Sequence, residues 1–224
     1  MAFLTWIPDI LRAAGLVVVE YDGWESRTTR PAGLMVQGVV CHHTATKPST
    51  SNVAVARLLA NGRPDLKGPL CQLGLDRDGH YWMIAAGRGN HNGYGTWGND
   101  SIGIEAYNDG VGEPWPDVQL DAYERGCAAL LTHVGLTIAE CRGHKETDPG
   151  RKVDPKNIDM DVFRAHVAEH MEDDVDLTPI IQRLDAIDAH LDKIDAKIVP
   201  EDTVRADIRL TREIATKVGV PTPP

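Results

Sequence analysis

The stretch Gly143 to Pro155 (Gly-His-Lys-Glu-Thr-Asp-Pro-Gly-Arg-Lys-Val-Asp-Pro) holds an imidazole at one end and a carboxylate at the other. Pro149-Gly150 breaks any helix between them. A loop folding back at that pair brings His144 and Asp154 to one point, with Lys152 beside them. Neutral imidazole and carboxylate are both good zinc ligands. Another imidazole is available where the apolar run Val39-Val40-Cys41 meets His42-His43. Successive strand residues point to opposite faces, so one of these histidines is a ligand and the other a support or a bystander. Two histidines and a carboxylate make up an open zinc site, which keeps a position for water and lowers its pKa to about 7. Hydrolysis there needs a base and an oxyanion partner. Glu105, ending the apolar run Ser101-Ile102-Gly103-Ile104, is the candidate base. Lys152, two residues from Asp154 and on its side, is the candidate oxyanion donor.

The elements that must position these groups are legible from periodicity and punctuation. Helices are expected over Pro8–Ala14, Asn52–Ala60, Pro116–Val134 and Asp159–Met171. The third is the clearest, with Pro116 at its start, Gly135 after it, and apolar residues at Leu120, Tyr123, Cys127, Leu130, Leu131 and Val134. Strands are expected over Leu16–Tyr21, Leu34–Cys41, Ser101–Ala106 and Ile138–Cys141. Cys71–Leu75 and Tyr81–Ala85 flank Asp78-Gly79 as a β-hairpin. Gly87 to Asn99, rich in Gly and Asn, is expected to be an exposed irregular loop. The order implies an α/β layer fold: a central mixed β-sheet flanked by helices.

This domain is expected to span residues 1–171. Residues 172–224 form a separate helical segment: a heptad helix over 178–199, a second helix over 201–218 and a Pro-rich tail. Leu177, Ile180, Leu184, Ile187, Leu191, Ile194 and Ile198 alternate three and four residues apart, the a/d seam of a coiled coil. Its partner is the neighbouring helix, the domain, or a second copy in a homo-oligomer.

Composition bounds the function. Of 224 residues, 42% are hydrophobic and 25% charged, as in an ordinary globular protein. A net charge of -10 argues against a nucleic-acid partner. No apolar run approaches the roughly 20 residues that span a membrane, and the N-terminus lacks a signal-peptide pattern. Synthesis in a cytoplasm is expected. Cys41, Cys71, Cys127 and Cys141 have no CxxC spacing and read as buried free thiols.

Three segments together resemble the type-2 N-acetylmuramoyl-L-alanine amidases, which include peptidoglycan-recycling enzymes, phage endolysins and peptidoglycan recognition proteins. They are Cys41-His42-His43-Thr44-Ala45-Thr46, Asn99 to Glu105, and Gly143-His144 with Arg151 to Pro155. Gly68 to Gln72 and Ile84 to His91 look like endolysins of phages that infect actinobacteria. The resemblance covers about residues 1–171. It implies a Zn2+ enzyme that cleaves the amide between N-acetylmuramic acid and L-alanine in bacterial peptidoglycan. It implies His42, His144 and Asp154 as ligands and Glu105 and Lys152 as catalytic groups, with His91, Asn90, His43 and Trp97 near the substrate. An endolysin would wait in the host bacterial cytoplasm until lysis. Two departures stand out: Cys71 aligns where many relatives carry tyrosine, and Asp154 where some carry cysteine. Both agree with the glutamate-and-aspartate branch.

Three other readings compete. A cysteine-histidine amidase or peptidase would use Cys41 or Cys71. A non-catalytic peptidoglycan-binding protein would lack a ligand, against the intact set here. An assembly subunit would explain the seam but not the site.

Overall fold

The computed structural model describes residues 3–30, 34–173, 183–189, 191 and 217. The chain divides into two units, Met1–Asp174 and Val175–Pro224. In the first, the order is α1 (Ile7–Ala13), β1 (Val18–Glu20), β2 (Val39–His43), α2 (Asn52–Asn61), β3 (Gly62–Arg63), β4 (Leu66–Lys67), β5 (Leu73–Leu75), β6 (Tyr81–Met83), β7 (Ile102–Ala106), α3 (Asp117–Val134), β8 (Cys141–Gly143), α4 (His144–Thr147) and α5 (Met160–Asp173). Six strands form one sheet in the order β1-β6-β5-β7-β2-β8. Only the β5–β6 hairpin is antiparallel; the other neighbours run parallel. The expected α/β class is the observed one.

Alternation along the strands sorts the two faces. Val39, Cys41, Leu73, Leu75, Ile102 and Ile104 join the large core under α1, α3 and α5. On the opposite face, Val55, Ala56, Leu59 and Ala60 of α2 pack with Leu70, Cys71, Ile84 and Tyr107. Both faces are covered, which is why these strands read as continuous apolar runs. All four cysteines are free and buried. His42 and Glu105 alternate with the large-core residues and therefore face α2.

The long helix α3 starts after Pro116 and ends at Gly135, whose φ of 71° is left-handed. Its Tyr123 is fully buried. The hydroxyl accepts the His42 backbone N–H at 2.9 Å and lies 3.1 Å from the carbonyls of both His42 and Ile104, to one of which it donates. It ties the ends of β2 and β7 to the helix behind them. Tyr123→Phe strands these buried groups, so urea unfolding is expected to show a loss of about 1–3 kcal/mol.

Two local expectations are corrected. The strand expected over 138–141 is a 3-10 turn, Ile138–Glu140, followed by β8. Glu140 Oε2 accepts from both the backbone and the hydroxyl of Thr137, and Thr137 Oγ1 accepts from Ala139 N. That capping box holds the segment in a turn. The Gly87–Asn99 loop is irregular, but its first half is buried at Gly87, Gly89, His91 and Asn92. Asn99 Oδ1 takes the backbone N–H groups of His91 and Asn92, and the Asn92 side chain bonds Thr96 O and Thr147 Oγ1. Backbone that finds such partners can leave water.

Apart from residues 183–189, 191 and 217, the expected C-terminal helices and tail lie outside the described residues. No helix among the described residues is long and apolar enough to cross a membrane.

Candidate active site

Strand register assembles the site. His42 pairs with Glu105 across β2 and β7, so their side chains stand side by side on one face. Cys41 pairs with Gly143 at the end of β8, which puts His144, the next residue, level with His42. The chain then makes the single turn of α4, reverses through Gly150 at φ 81°, and returns. The returning strand is pinned on three sides. Lys145 N donates to Asp154 O at 2.7 Å, Lys145 Nζ to Pro155 O at 3.1 Å, and Lys156 N to His43 Nδ1 at 3.0 Å.

This brings His42, His144 and Asp154 together, with one ligand atom from each within 4.8 Å of the others. Asp154 Oδ2 lies 3.0 Å from Nδ1 of both histidines. Glu105 and Lys152 join them in lining a cavity of about 230 Å³.

The tautomer of His42 follows from what lies behind it. His91 is buried, and its Nε2 lies 3.1 Å from the Ser101 carbonyl, which can only accept. His91 Nε2 therefore carries the proton. Burial, then the neighbouring His42, pull the His91 pKa well down, so the ring is neutral and its Nδ1 is an acceptor. His42 Nε2, 3.1 Å away, donates to it. Burial also lowers the His42 pKa, against the pull of Asp154. Neutral His42 thus aims the Nδ1 lone pair at a carboxylate oxygen 3.0 Å away. Two acceptors face each other there, an arrangement that a cation relieves. His144 Nε2 and Glu105 Oε2 are buried with no hydrogen-bond partner, another sign of an arrangement completed by a bound group. Two imidazoles and a carboxylate suit zinc, so the residues fit that metal.

His91 thus orients a ring rather than offering a free nitrogen. Gly103 makes room for it: a Cβ there would lie 2.6–2.9 Å from the imidazole. His91→Ala is expected to weaken zinc binding about 10–100-fold, measured by competition with a chromophoric chelator. Unchanged affinity would mean that the ring only fills space.

The remaining candidates divide. Asn90 lines the cavity and donates to Lys67 O at 2.8 Å. His43 lines its edge, with one nitrogen held by Lys156 N. Trp97 is not brought to the cavity. It packs over Gly38, at the opposite end of β2 from His42, with the Arg142 guanidinium 4.8 Å from its ring. The sequence reading missed one wall: Leu58 and Leu59 of α2, with Arg63 and Leu66 of the β3–β4 hairpin. Pro64-Asp65 between two pairing residues was the available signal, a tight-turn dipeptide.

The thiols stand apart from this chemistry. Cys41 points to the other face, where its Sγ is 3.8 Å from Cys127 Sγ. Cys71 is fully buried, and burial, then the Glu105 charge, push its thiol well up. Cys41, in the large core on the far face of the sheet, does not reach the cavity, and the Cys71 thiol is held protonated.

The N-acetylmuramoyl-L-alanine amidase family profile matches residues 32–157, more than half of the chain. No curated protein sequence matches the chain closely. Among solved structures, the chain is similar to the endolysin N-acetylmuramoyl-L-alanine amidase LysCS from Clostridium intestinale, with 16% identity and a TM-score of 0.54, covering 67% of this chain and 95% of that one. It is similar to the amidase LysC from the same organism, with 17% identity, a TM-score of 0.53 and coverage of 67% and 97%. It is also similar to a mutant endolysin from Bacillus subtilis, with 19% identity, a TM-score of 0.50 and coverage of 68% and 99%. At these identities the structural likeness concerns the fold.

Proposed function

The chain belongs to the N-acetylmuramoyl-L-alanine amidase family and is such an enzyme, and from that premise we propose that it works as a zinc-dependent endolysin whose site is the His42–His144–Asp154 cluster. The observation that carries the metal is the convergence of His42, His144 and Asp154, with Asp154 Oδ2 3.0 Å from Nδ1 of both histidines. His42, His144 and Asp154 would hold Zn2+, which polarises a carbonyl and acidifies water when bound.

The other roles belong to the chain itself. Glu105, with one carboxylate oxygen buried and unpartnered, takes the proton of the attacking water and passes it to the leaving amine of L-alanine. Lys152 offers its ammonium to the carbonyl oxygen as negative charge develops there. Asn90 and the Arg63 hairpin form the groove walls that orient the muramoyl peptide. Residues 1–171 carry this activity and residues 172–224 do not. The segments Gly68 to Gln72 and Ile84 to His91 support an origin in a phage of actinobacteria.

Purified protein is expected to release stem peptides beginning in L-alanine from peptidoglycan, as read by mass spectrometry. Chelation abolishes the release and zinc restores it. Release that survives chelation would overturn the metal reading and move the chemistry elsewhere.

A further inference from the structure

Among the described residues, the buried oxygens Glu105 Oε2 and Tyr107 Oη both lack a hydrogen-bond partner. Tyr107 N donates to Leu75 O at 2.8 Å, which carries the β5–β7 ladder one residue past β7. Residues 105 and 107 therefore share a face. It is the face under α2, where the fully buried Tyr107 packs with Leu59 and Cys71.

Gly74 brings the two oxygens toward each other. It pairs with Glu105 across β5 and β7. Having no side chain, it lets the Tyr107 ring lean back over it: a Cβ at position 74 would lie 2.9 Å from Tyr107 Oη and 3.0 Å from Cε1. Paired strands are about 4.8 Å apart, so the hydroxyl stands beside the Glu105 side chain, within the span of one water.

The other groups near this hydroxyl leave Glu105 as its acceptor. Burial, then Cys71, Asp76 and Glu105, push the Tyr107 pKa up, so the hydroxyl keeps its proton and can donate it to a hydrogen bond. Asp76 is already full. Its Oδ1 accepts from Asp78 N and His80 N, and its Oδ2 from Asn52 Nδ2 and Trp82 Nε1, which uses the four sites of a carboxylate. Cys71 offers a thiol, a weak acceptor.

We propose that Tyr107 is a positioning residue for the general base: its hydroxyl donates to a water that donates in turn to Glu105 Oε2. This rests on the assignment of Glu105 as proton carrier. The bridge satisfies both oxygens and gives the water two partners, enough to hold it in a buried place. It fixes the plane of a carboxylate that also lines the cavity. Without the hydroxyl, Glu105 keeps its place on β7 but turns about its side-chain bonds. Proton transfer then slows, while substrate and metal are held as before.

The test reads turnover on one soluble muropeptide. Tyr107→Phe should lower kcat about tenfold, the effect of one hydrogen bond to a charged group. KM and zinc content should change less than about twofold. In a Glu105→Gln background the same substitution should change the residual kcat less than about twofold, because the base it orients is gone. Equal losses in the two backgrounds would mean that the hydroxyl acts through packing, and would overturn the proposal. A Tyr107→Phe enzyme with wild-type kcat overturns it as well. A crystal structure of the wild-type enzyme reads the bridge without turnover. It should show a water within about 3.2 Å of both Tyr107 Oη and Glu105 Oε2, and two oxygens that share no water would sink the idea. Failure of the amidase reading would appear instead as a wild-type protein that releases no stem peptide, so the two failures are distinct.

Discussion

Replacing Glu105 with glutamine lowers kcat about 10²–10⁴-fold and leaves the zinc content of the purified enzyme unchanged. Glutamine keeps the shape and loses the base. The carboxylate stands beside His42 through the β2–β7 pairing, but it is not one of the three convergent ligand groups. Loss of turnover with metal retained therefore separates a proton carrier from a ligand. The same variant has a stability signature in the metal-free protein. Burial, then the Asp154 charge, push the Glu105 pKa from 4.5 up to about 8, with Lys152 pulling the other way. Below pH 4.5 the group is protonated in both folded and unfolded chains and costs nothing. Between pH 4.5 and 8 the folded chain holds the proton more tightly, so wild-type stability falls as pH rises. Above pH 8 the penalty is complete. Glu105→Gln escapes it, so the variant should be more stable than wild type at pH 9 by on the order of 2–4 kcal/mol, and equal to it at pH 4. A bound cation draws the carboxyl pKa down, so zinc loading should narrow the gap. Equal pH profiles for the two proteins would show that Glu105 is not held in a water-poor place.

Removing the anionic ligand has the other large effect. Asp154→Ala is expected to purify without zinc and to lose peptidoglycan cleavage to background, even with added metal. Two imidazoles remain, short of the three protein ligands of catalytic zinc sites. Asp154→Cys supplies a thiolate, an equally good zinc ligand, and should recover metal binding. Metal analysis and turnover on one soluble muropeptide check both variants. Zinc retained at full occupancy in the alanine variant would mean that the metal sits elsewhere.

Much of the site was readable because its residues lie where the chain changes character. His42 ends an apolar run, Glu105 interrupts one, and His144 and Asp154 flank a Pro-Gly reversal. The register that aligns His42 with Glu105 is a long-range choice, and nothing local in either segment announces it. The role of His91 was hidden for a similar reason. A Gly- and Asn-rich loop suggests exposure, yet asparagine side chains take over its backbone hydrogen bonds and let it sink against Gly103. Trp97, expected near the substrate, packs over Gly38 instead. The β3–β4 hairpin has only two residues per strand, too short for any alternation to show.

The four cysteines, buried at 0–1% exposure, make a clock of the fold. Cys41, Cys127 and Cys141 lie in the large core, and Cys71 lies under α2. No thiol reagent reaches any of them until the layer above it opens. In the native protein their labelling rates therefore report how often each layer opens. Cys71 times the lifting of α2, which forms part of one cavity wall, and the other three time the parting of α3 and α5 from the sheet. If Cys71 reacts first, the cavity wall breathes while the scaffold beneath it holds, and a bulky peptide strand has its way in.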